Sequence, residues 1–256
     1  MSRINAKKHL GQHFLSDPNI LYKMADTINP KADDHLIEIG PGRAALTHHL
    51  IGKSQQLDVI ELDKDLINDL NLLDGCRVYH QDALKHNFHR LSDCGEAIKV
   101  RVIGNLPYNI STPLLFHLLS HQHIQDMHFL LQKEVADRLV ATAGSRDYGR
   151  LSVMAQLHCH IQRCFHVAPG CFIPPPKVDS TFVQLHPHPA PLLPADQHEA
   201  FAKIVKQAFS QRRKTLRNSL KSLLSAEQIR EAGLDPTLRP ERITVNEFIQ
   251  LTHHYD

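Results

Sequence analysis

Between residues 36 and 104 four short β-branched runs, LIEIG, LDVIE, RVYHQD and VRVIGN, are separated by longer polar segments that suit helices. This alternation constrains the chain more than any other feature. It predicts βαβ units, hence an α/β fold with a parallel sheet covered on both faces. The pattern continues with a helix over 113–121, a strand over 127–131 and a helix over 133–142. Two further strand-like runs, 153–166 and 177–185, flank the turn-rich PGCFIPPPK. HPHPAPLLP at 186–194 has the repeated prolines of an extended linker, which predicts a main domain over 1–190 and a second domain over 191–256. The second domain reads as helical. Ser225-x-x-Gln228 and Thr244-x-x-Glu247 fit capping boxes, and Gly233 fits a helix stop.

Composition narrows the class further. With 256 residues and 42% apolar content the chain can bury a full core. No apolar run approaches the roughly 18 residues of a membrane span, and the polar N-terminus MSRINAKKHLGQHF lacks the apolar segment of a signal peptide, so a cytoplasmic location is expected. The five cysteines form no C-x-x-C pair, and the twenty histidines form no H-E-x-x-H. His117 with His121, and His158 with His160, are close enough in sequence to share a metal. A packed or solvated role is the expectation for both pairs, and no metal is expected.

EIGPGRAALT at 38–47 follows a strand and opens toward a helix, where glycines let backbone N–H groups approach a ligand. Gly40-x-Gly42-x-x-Ala45 satisfies the dinucleotide fingerprint, a weak motif by itself. Glu38, two residues before the first glycine, would repel a pyrophosphate and suits a cationic ligand that carries an amino acid. The cofactor expected is therefore S-adenosylmethionine. Glu61 lies nineteen residues after Gly42 at the end of the second strand, where an acid can accept both ribose hydroxyls. Asp82, after the third strand, can accept from the adenine amine of the cofactor. Three acids at three successive strand ends converge on one crevice.

The fourth strand ends in Asn105-Leu106-Pro107-Tyr108, beside that crevice. An exocyclic adenine amine is a poor nucleophile because its lone pair is delocalised into the ring. Two acceptors holding its N–H bonds would aim that lone pair at a methyl donor. The Asn105 side-chain carbonyl can supply one, and the Leu106 backbone carbonyl the other, because Pro107 keeps the preceding residue extended. Tyr108 offers a face for the base to stack on.

Net charge is only +2, yet seven Lys/Arg residues and no acid fall between Lys203 and Lys221. On a helical wheel from 201 to 223, Phe201, Ile204, Val205, Ala208, Phe209, Leu216, Leu220 and Leu223 share one side. Lys203, Lys206, Lys214, Arg217 and Lys221 share the other, while Arg212 breaks the phase, so Ser210-Gln211 reads as a break between two helices. Lys203, Lys206, Arg213, Lys214, Arg217 and Lys221 are the candidate RNA-binding residues, with binding that weakens steeply in salt.

Together, GQHFL, EIGPGRAALT, VIELD, GNLPYNIST, LLQKEVADRL, YGRLSVMAQ, FIPPPKVDS and AFSQRRKTLRNSL resemble the bacterial small-subunit ribosomal RNA adenine N6,N6-dimethyltransferases of the kasugamycin-sensitivity type. The resemblance implies a Rossmann-like, seven-stranded S-adenosylmethionine-dependent methyltransferase sheet with a small all-helical C-terminal domain. It implies transfer of two methyl groups to N6 of each of two adjacent adenosines near the 3′ end of 16S rRNA. The partner implied is small-subunit rRNA in an immature small subunit, the location cytoplasmic, the enzyme monomeric. By motif matching, the cofactor residues are His13, Leu15, Gly40, Glu61, Asp82 and Asn105. The target site is Asn105, Leu106, Pro107 and Tyr108, with Phe172 across the base. Two departures stand out. His13 replaces an Asn, and its imidazole can still donate to the cofactor carboxylate. Ala44 replaces a glycine, which is tolerable if φ stays negative. The alternatives are a macrolide-resistance type of 23S rRNA methyltransferase, against which RRKTLRNSL argues, and an assembly factor without catalysis, against which Glu61 and the Asn105 turn argue.

Overall fold

A computed structural model of the protein describes residues 6–7, 10–88, 99–107, 110–119, 121, 123–211 and 213–255. The chain packs as two compact units, residues 1–136 with 162–187 and residues 137–161 with 188–256.

The first unit is built on the strands that the β-branched runs foreshadow: β2 (His35–Ile39), β3 (Gln56–Glu61), β4 (Arg77–His80), β5 (Val100–Asn105) and β6 (Ile124–Gln132). β1 (Phe14–Leu15) precedes them, and β7 (Cys159–Val167), β8 (Phe172–Ile173) and β9 (Ser180–Pro187) follow. One sheet has seven strands in the order β4-β3-β2-β5-β6-β9-β7. β2 lies parallel to both β3 and β5, β5 to β6 and β3 to β4, while β9 runs antiparallel to β6. All five residues of β2 are buried, as befits the middle of a covered parallel sheet. The chain leaves β2 toward β3 on one side and returns to β5 on the other, and ligands of such sheets bind outside the carboxyl ends at that switch.

α1 (Pro18–Ile28) covers this sheet with Leu21, Met24, Ala25 and Ile28, spaced as one helical face. Asp17 caps it by accepting from the Asn19 and Ile20 amides, and Asn29 ends it in the left-handed region. The buried face joins Leu36, Val59, Ile103, Leu130 and Phe182 in one core. Each such side chain contributes about 1.5–3 kcal/mol through burial.

α4 (Ser111–Leu119) and α5 (Lys133–Val140) occupy the positions expected for helices. The run 153–166 does not form one strand. Its first part belongs to α6 (Arg150–His158), and only the remainder is β7. Val153, Ala155 and Leu157 are buried in α6, and the Ser152 hydroxyl accepts from the Gly149 amide at its start. The β-branched and aromatic residues of CHIQRCFHV carry the strand signal, which overran the helix before it.

In the second unit, α7 (His198–Ala208), α8 (Leu216–Ser219), α9 (Ala226–Glu231) and α10 (Val245–His253) enclose Phe201, Ile204, Leu216, Ile229 and Phe248. Val153 and Leu157 of α6 join that core, which is why residues 137–161 pack with the C-terminal helices whereas the sequence placed one boundary at 190. Both capping boxes form, from Ser225 with Gln228 and from Thr244 with Glu247. α7 ends before Ser210-Gln211, so the basic stretch is broken where the wheel lost phase, and Arg212 lies outside the described residues.

Candidate cofactor and target site

The loop after β2 carries the glycines. Gly42 has φ +58°, and a Cβ there would lie 3.0 Å from the Phe14 ring, so glycine is needed for both the turn and the close approach. Ala44 departs from expectation. Its φ is +61°, in the left-handed region, while its methyl is buried against Leu66 and Leu70. The condition that φ stay negative is not met, and the residue is strained by about 1–2 kcal/mol. At the end of β5 a Cβ on Gly104 would collide with the Ile39 carbonyl oxygen, so glycine keeps β5 tight against β2 beside the loop.

Glu38 is 2% exposed, and its Oε2 accepts from the Thr47 hydroxyl at 2.7 Å. Burial pushes its carboxyl up to about 7, Thr47 pulls it down, and the nearby Glu61 charge pushes it up again. Glu61 accepts the Leu62 and Asp63 amides on Oε1, both at 2.9 Å, and the Gly42 amide on Oε2 at 3.2 Å. Burial raises its carboxyl, and the three backbone donors only partly offset that. Asp82 accepts the Leu84 amide on Oδ1 at 3.0 Å, which fixes the turn after β4. The Asn105 amide donates through Nδ2 to the His13 carbonyl at 2.9 Å, which leaves Oδ1 as its acceptor atom.

One wall of the site comes from the N-terminal segment. β1 pairs antiparallel with β8, Phe14 opposite Ile173 and Leu15 opposite Phe172. The His13 Nδ1 lies 2.8 Å from the Pro174 carbonyl and donates to it. The Arg43 guanidinium sits over the Phe14 ring, 4.7 Å from its centroid.

These elements enclose a cleft of about 350 Å³. His13, Leu15, Gly40, Glu61, Asp82, Asn105, Leu106 and Pro107 all line it. Tyr108 lies outside the described residues. Phe172 does not face the cleft. It is 2% exposed in the core, and its neighbour Ile173, 59% exposed, lines the cleft in its place, because successive strand residues point to opposite sides. Gln12, Arg43 and Leu62 also line the cleft and were not singled out from sequence. Leu62 could have been found from its position next to Glu61; Gln12 and Arg43 reach the cleft only through the tertiary fold.

The basic residues Lys203, Lys206, Arg213, Lys214, Arg217 and Lys221 of the second unit are all exposed. Lys203 donates to the Tyr255 hydroxyl at 2.6 Å. Of the two histidine pairs, His117 with His121 packs, whereas His160 is exposed and His158 packs on a different histidine. The His117 and His121 rings meet edge-on and both pack at a tilt against Phe88, and His158 edges onto His198. Burial pushes His158 down to about 4. Among the described residues, no group of three or more His, Cys, Asp or Glu is placed to hold a metal ion, and no helix is long and apolar enough to cross a membrane.

The profile described as Ribosomal RNA adenine dimethylase matches residues 3–256. Ribosomal RNA small subunit methyltransferase A of Pseudomonas aeruginosa is 51% identical over 253 residues, 97% of this chain and 94% of that protein. The protein of the same name from Alcanivorax borkumensis is 48% identical over 99% of this chain and 91% of its own. Among solved structures, a dimethyladenosine transferase from Plasmodium falciparum superposes with a TM-score of 0.77 at 26% identity, covering 93% of this chain and 96% of the other. The 23S rRNA methyltransferase ErmE superposes with a TM-score of 0.71 at 23% identity, covering 94% and 98%, and shares the fold.

Proposed function

The chain belongs to the ribosomal RNA adenine dimethylase family, and on that premise we propose how its cleft works. It is an rRNA adenine dimethyltransferase that carries methyl groups to N6 of two adjacent adenosines near the 3′ end of 16S rRNA. The substrate we assign is the immature small subunit in the cytoplasm, and the acting species a monomer.

One observation carries the reading most: Glu61, Asp82 and Asn105, from three strand ends, line the same cleft as Gly40. The acids of that cleft are satisfied by backbone amides and one hydroxyl, so their charge is left for a cationic ligand. S-adenosylmethionine fits that description, and when bound it supplies a methyl group activated by a sulfonium. Glu61 Oε2, which accepts only one backbone amide, is assigned to the ribose hydroxyls, and Asp82 to the adenine amine. His13 and Leu15 of the N-terminal wall, with Gly40, complete the cofactor side.

The target adenine is held by two acceptors. With Nδ2 bound to His13, Asn105 presents Oδ1 to one amine N–H. The Leu106 carbonyl, extended before Pro107, accepts the other. Both N–H bonds are thereby fixed and the nitrogen lone pair is aimed toward the cofactor side of the cleft. After transfer the extra proton stays on the nitrogen between these two acceptors until water removes it. Tyr108 is assigned the stacking face, and Ile173 rather than Phe172 the opposite wall. The six exposed cations of the second unit are assigned to phosphates.

The reading is tested by transfer of labelled methyl from S-adenosylmethionine to undermethylated small subunits, with naked small- and large-subunit rRNA in parallel and nucleoside analysis. The expected product is dimethyladenosine at two adjacent small-subunit positions. Asn105→Ala should lower kcat by about 10²–10³, the usual cost of deleting one preorganised polar contact. No transfer to any RNA despite cofactor binding, or a wild-type rate in Asn105→Ala, would refute the proposal.

A further inference from the structure

The Asp63 side chain is fully buried yet does not line the cleft, and it accepts three hydrogen bonds. Its Oδ1 accepts the Asp65 amide at 3.1 Å and so caps α3 (Lys64–Leu70). The same oxygen takes Lys7 Nζ. Its Oδ2 takes Gln12 Nε2 at 2.8 Å. Its own amide donates to Glu61 Oε1 at 2.9 Å. Lys7 also reaches Asp65 at 2.7 Å, and the Lys7 amide donates to Gln12 Oε1 at 2.8 Å. Burial pushes the Asp63 carboxyl up, but Lys7 and Gln12 outweigh it and hold it below the usual range.

Two walls of the cleft therefore meet at one carboxylate. On one side is the segment that carries His13 and Leu15; on the other is the strand end that carries Glu61. Apart from the Arg43 guanidinium over the Phe14 ring, the contacts described between the segment and the remaining walls are neutral, among them the two-residue pairing with β8, the bond from Asn105 to the His13 carbonyl, and the packing of Phe14 over Gly42. Asp63 supplies the charge-assisted contacts, which are about twice as strong as neutral ones.

We propose that Asp63 is a positioning residue for cofactor binding, acting through Lys7 and Gln12 to hold the N-terminal segment against the strand end that bears Glu61. The proposal rests on the cofactor reading above. Because Asp63 touches neither the cofactor residues' ligand face nor the Asn105 turn, its loss should weaken S-adenosylmethionine binding and leave the methyl-transfer step intact.

Asp63→Asn is the informative change. Asn still caps α3, but its amide nitrogen would face Lys7 or Gln12 donor to donor. Binding of S-adenosylmethionine to the purified full chain by equilibrium dialysis should weaken about tenfold, the equivalent of one charge-assisted hydrogen bond. KM for the cofactor should rise in parallel with kcat unchanged at saturation, which a general loss of structure would not produce. Lys7→Met, which leaves the cap untouched, should shift binding in the same direction, and Lys7→Arg should restore it. If Asp63→Asn does not fold, Lys7→Met decides. Wild-type affinity in both variants, with binding lost in Glu61→Gln, would overturn the role of Asp63 and spare the cofactor reading. A wild-type protein that binds no S-adenosylmethionine would overturn both.

Discussion

At the amino ends of β2, β5 and β6 the buried Arg101, Asp34 and Asp126 have partners of opposite sign. The Arg101 Nε donates to Asp126 at 3.0 and 3.1 Å, its Nη1 to Asp34 at 2.6 Å, and its Nη2 to the Ile28 carbonyl at 2.6 Å. Nearby, the His35 Nε2 lies 2.5 Å from Asp58 in the same buried layer. At the carboxyl ends of the same sheet, Glu38, Glu61 and Asp82 accept from backbone amides and a threonine hydroxyl. One end of the sheet is electrostatically closed. The other keeps carboxylates, Glu38 and Glu61 buried among them, that accept hydrogen bonds but form no ion pair among the described residues, a state that costs free energy until a cation enters. Buried acidity without a cation therefore distinguishes the working end of this sheet from the end that only supports it.

The largest effect is expected where the closed end is opened. Arg101→Met leaves Asp34 and Asp126 buried without their cation, and should cost about 3–5 kcal/mol in denaturant unfolding. Cofactor affinity of the folded fraction should not change; a parallel loss of binding would show that the two ends are coupled. Next comes Glu38→Gln. Burial raises the folded carboxyl of Glu38 to about 7 from an unfolded value of 4.5. Its favourable contribution to stability is therefore complete below about pH 4.5 and lost as pH rises through about 7. Glu38→Gln should match wild type near pH 4 and exceed it by about 3 kcal/mol at pH 8 without cofactor, while binding the cationic cofactor more weakly. Equal stability of the two proteins at pH 8 would remove the contrast between the ends. The smallest effect is Ala44→Gly. Relief of the left-handed strain, about 1–2 kcal/mol, is offset by the lost methyl burial and the greater freedom of an unfolded glycine, so thermal unfolding should register a change under about 1 kcal/mol.

The working end was legible because its residues follow from position along single strands. Glu61, Asp82 and Asn105 could be placed from the β-branched runs before them, since the ends of parallel strands share an edge. What escaped depends on contacts between distant segments. The inward turn of Phe172 is set by the pairing of β8 with β1, and nothing near PGCFIPPPK encodes which of Phe172 and Ile173 faces in. The positive φ of Ala44 follows from the path of the glycine loop over Leu66 and Leu70, which outweighed the preference of an L-residue. α6 was obscured because the apolar residues of LSVMAQLH run directly into the strand-forming CHIQRCFHV. The closed end was not anticipated at all, because Arg101, Asp126 and Asp34 come from three separate parts of the chain.

The pairing of β1 with β8 joins Phe14 to Ile173, so one wall of the cofactor cleft is made long before its complement. During synthesis at roughly 5–20 residues per second, the N-terminal segment must wait on the order of 10–30 s for the strand that seats it. Until then Glu61 and Asn105 can form their sheet, but the cleft lacks a side. An enzyme that modifies ribosomes is thus still without a complete cofactor site while most of its own chain is threading out of one.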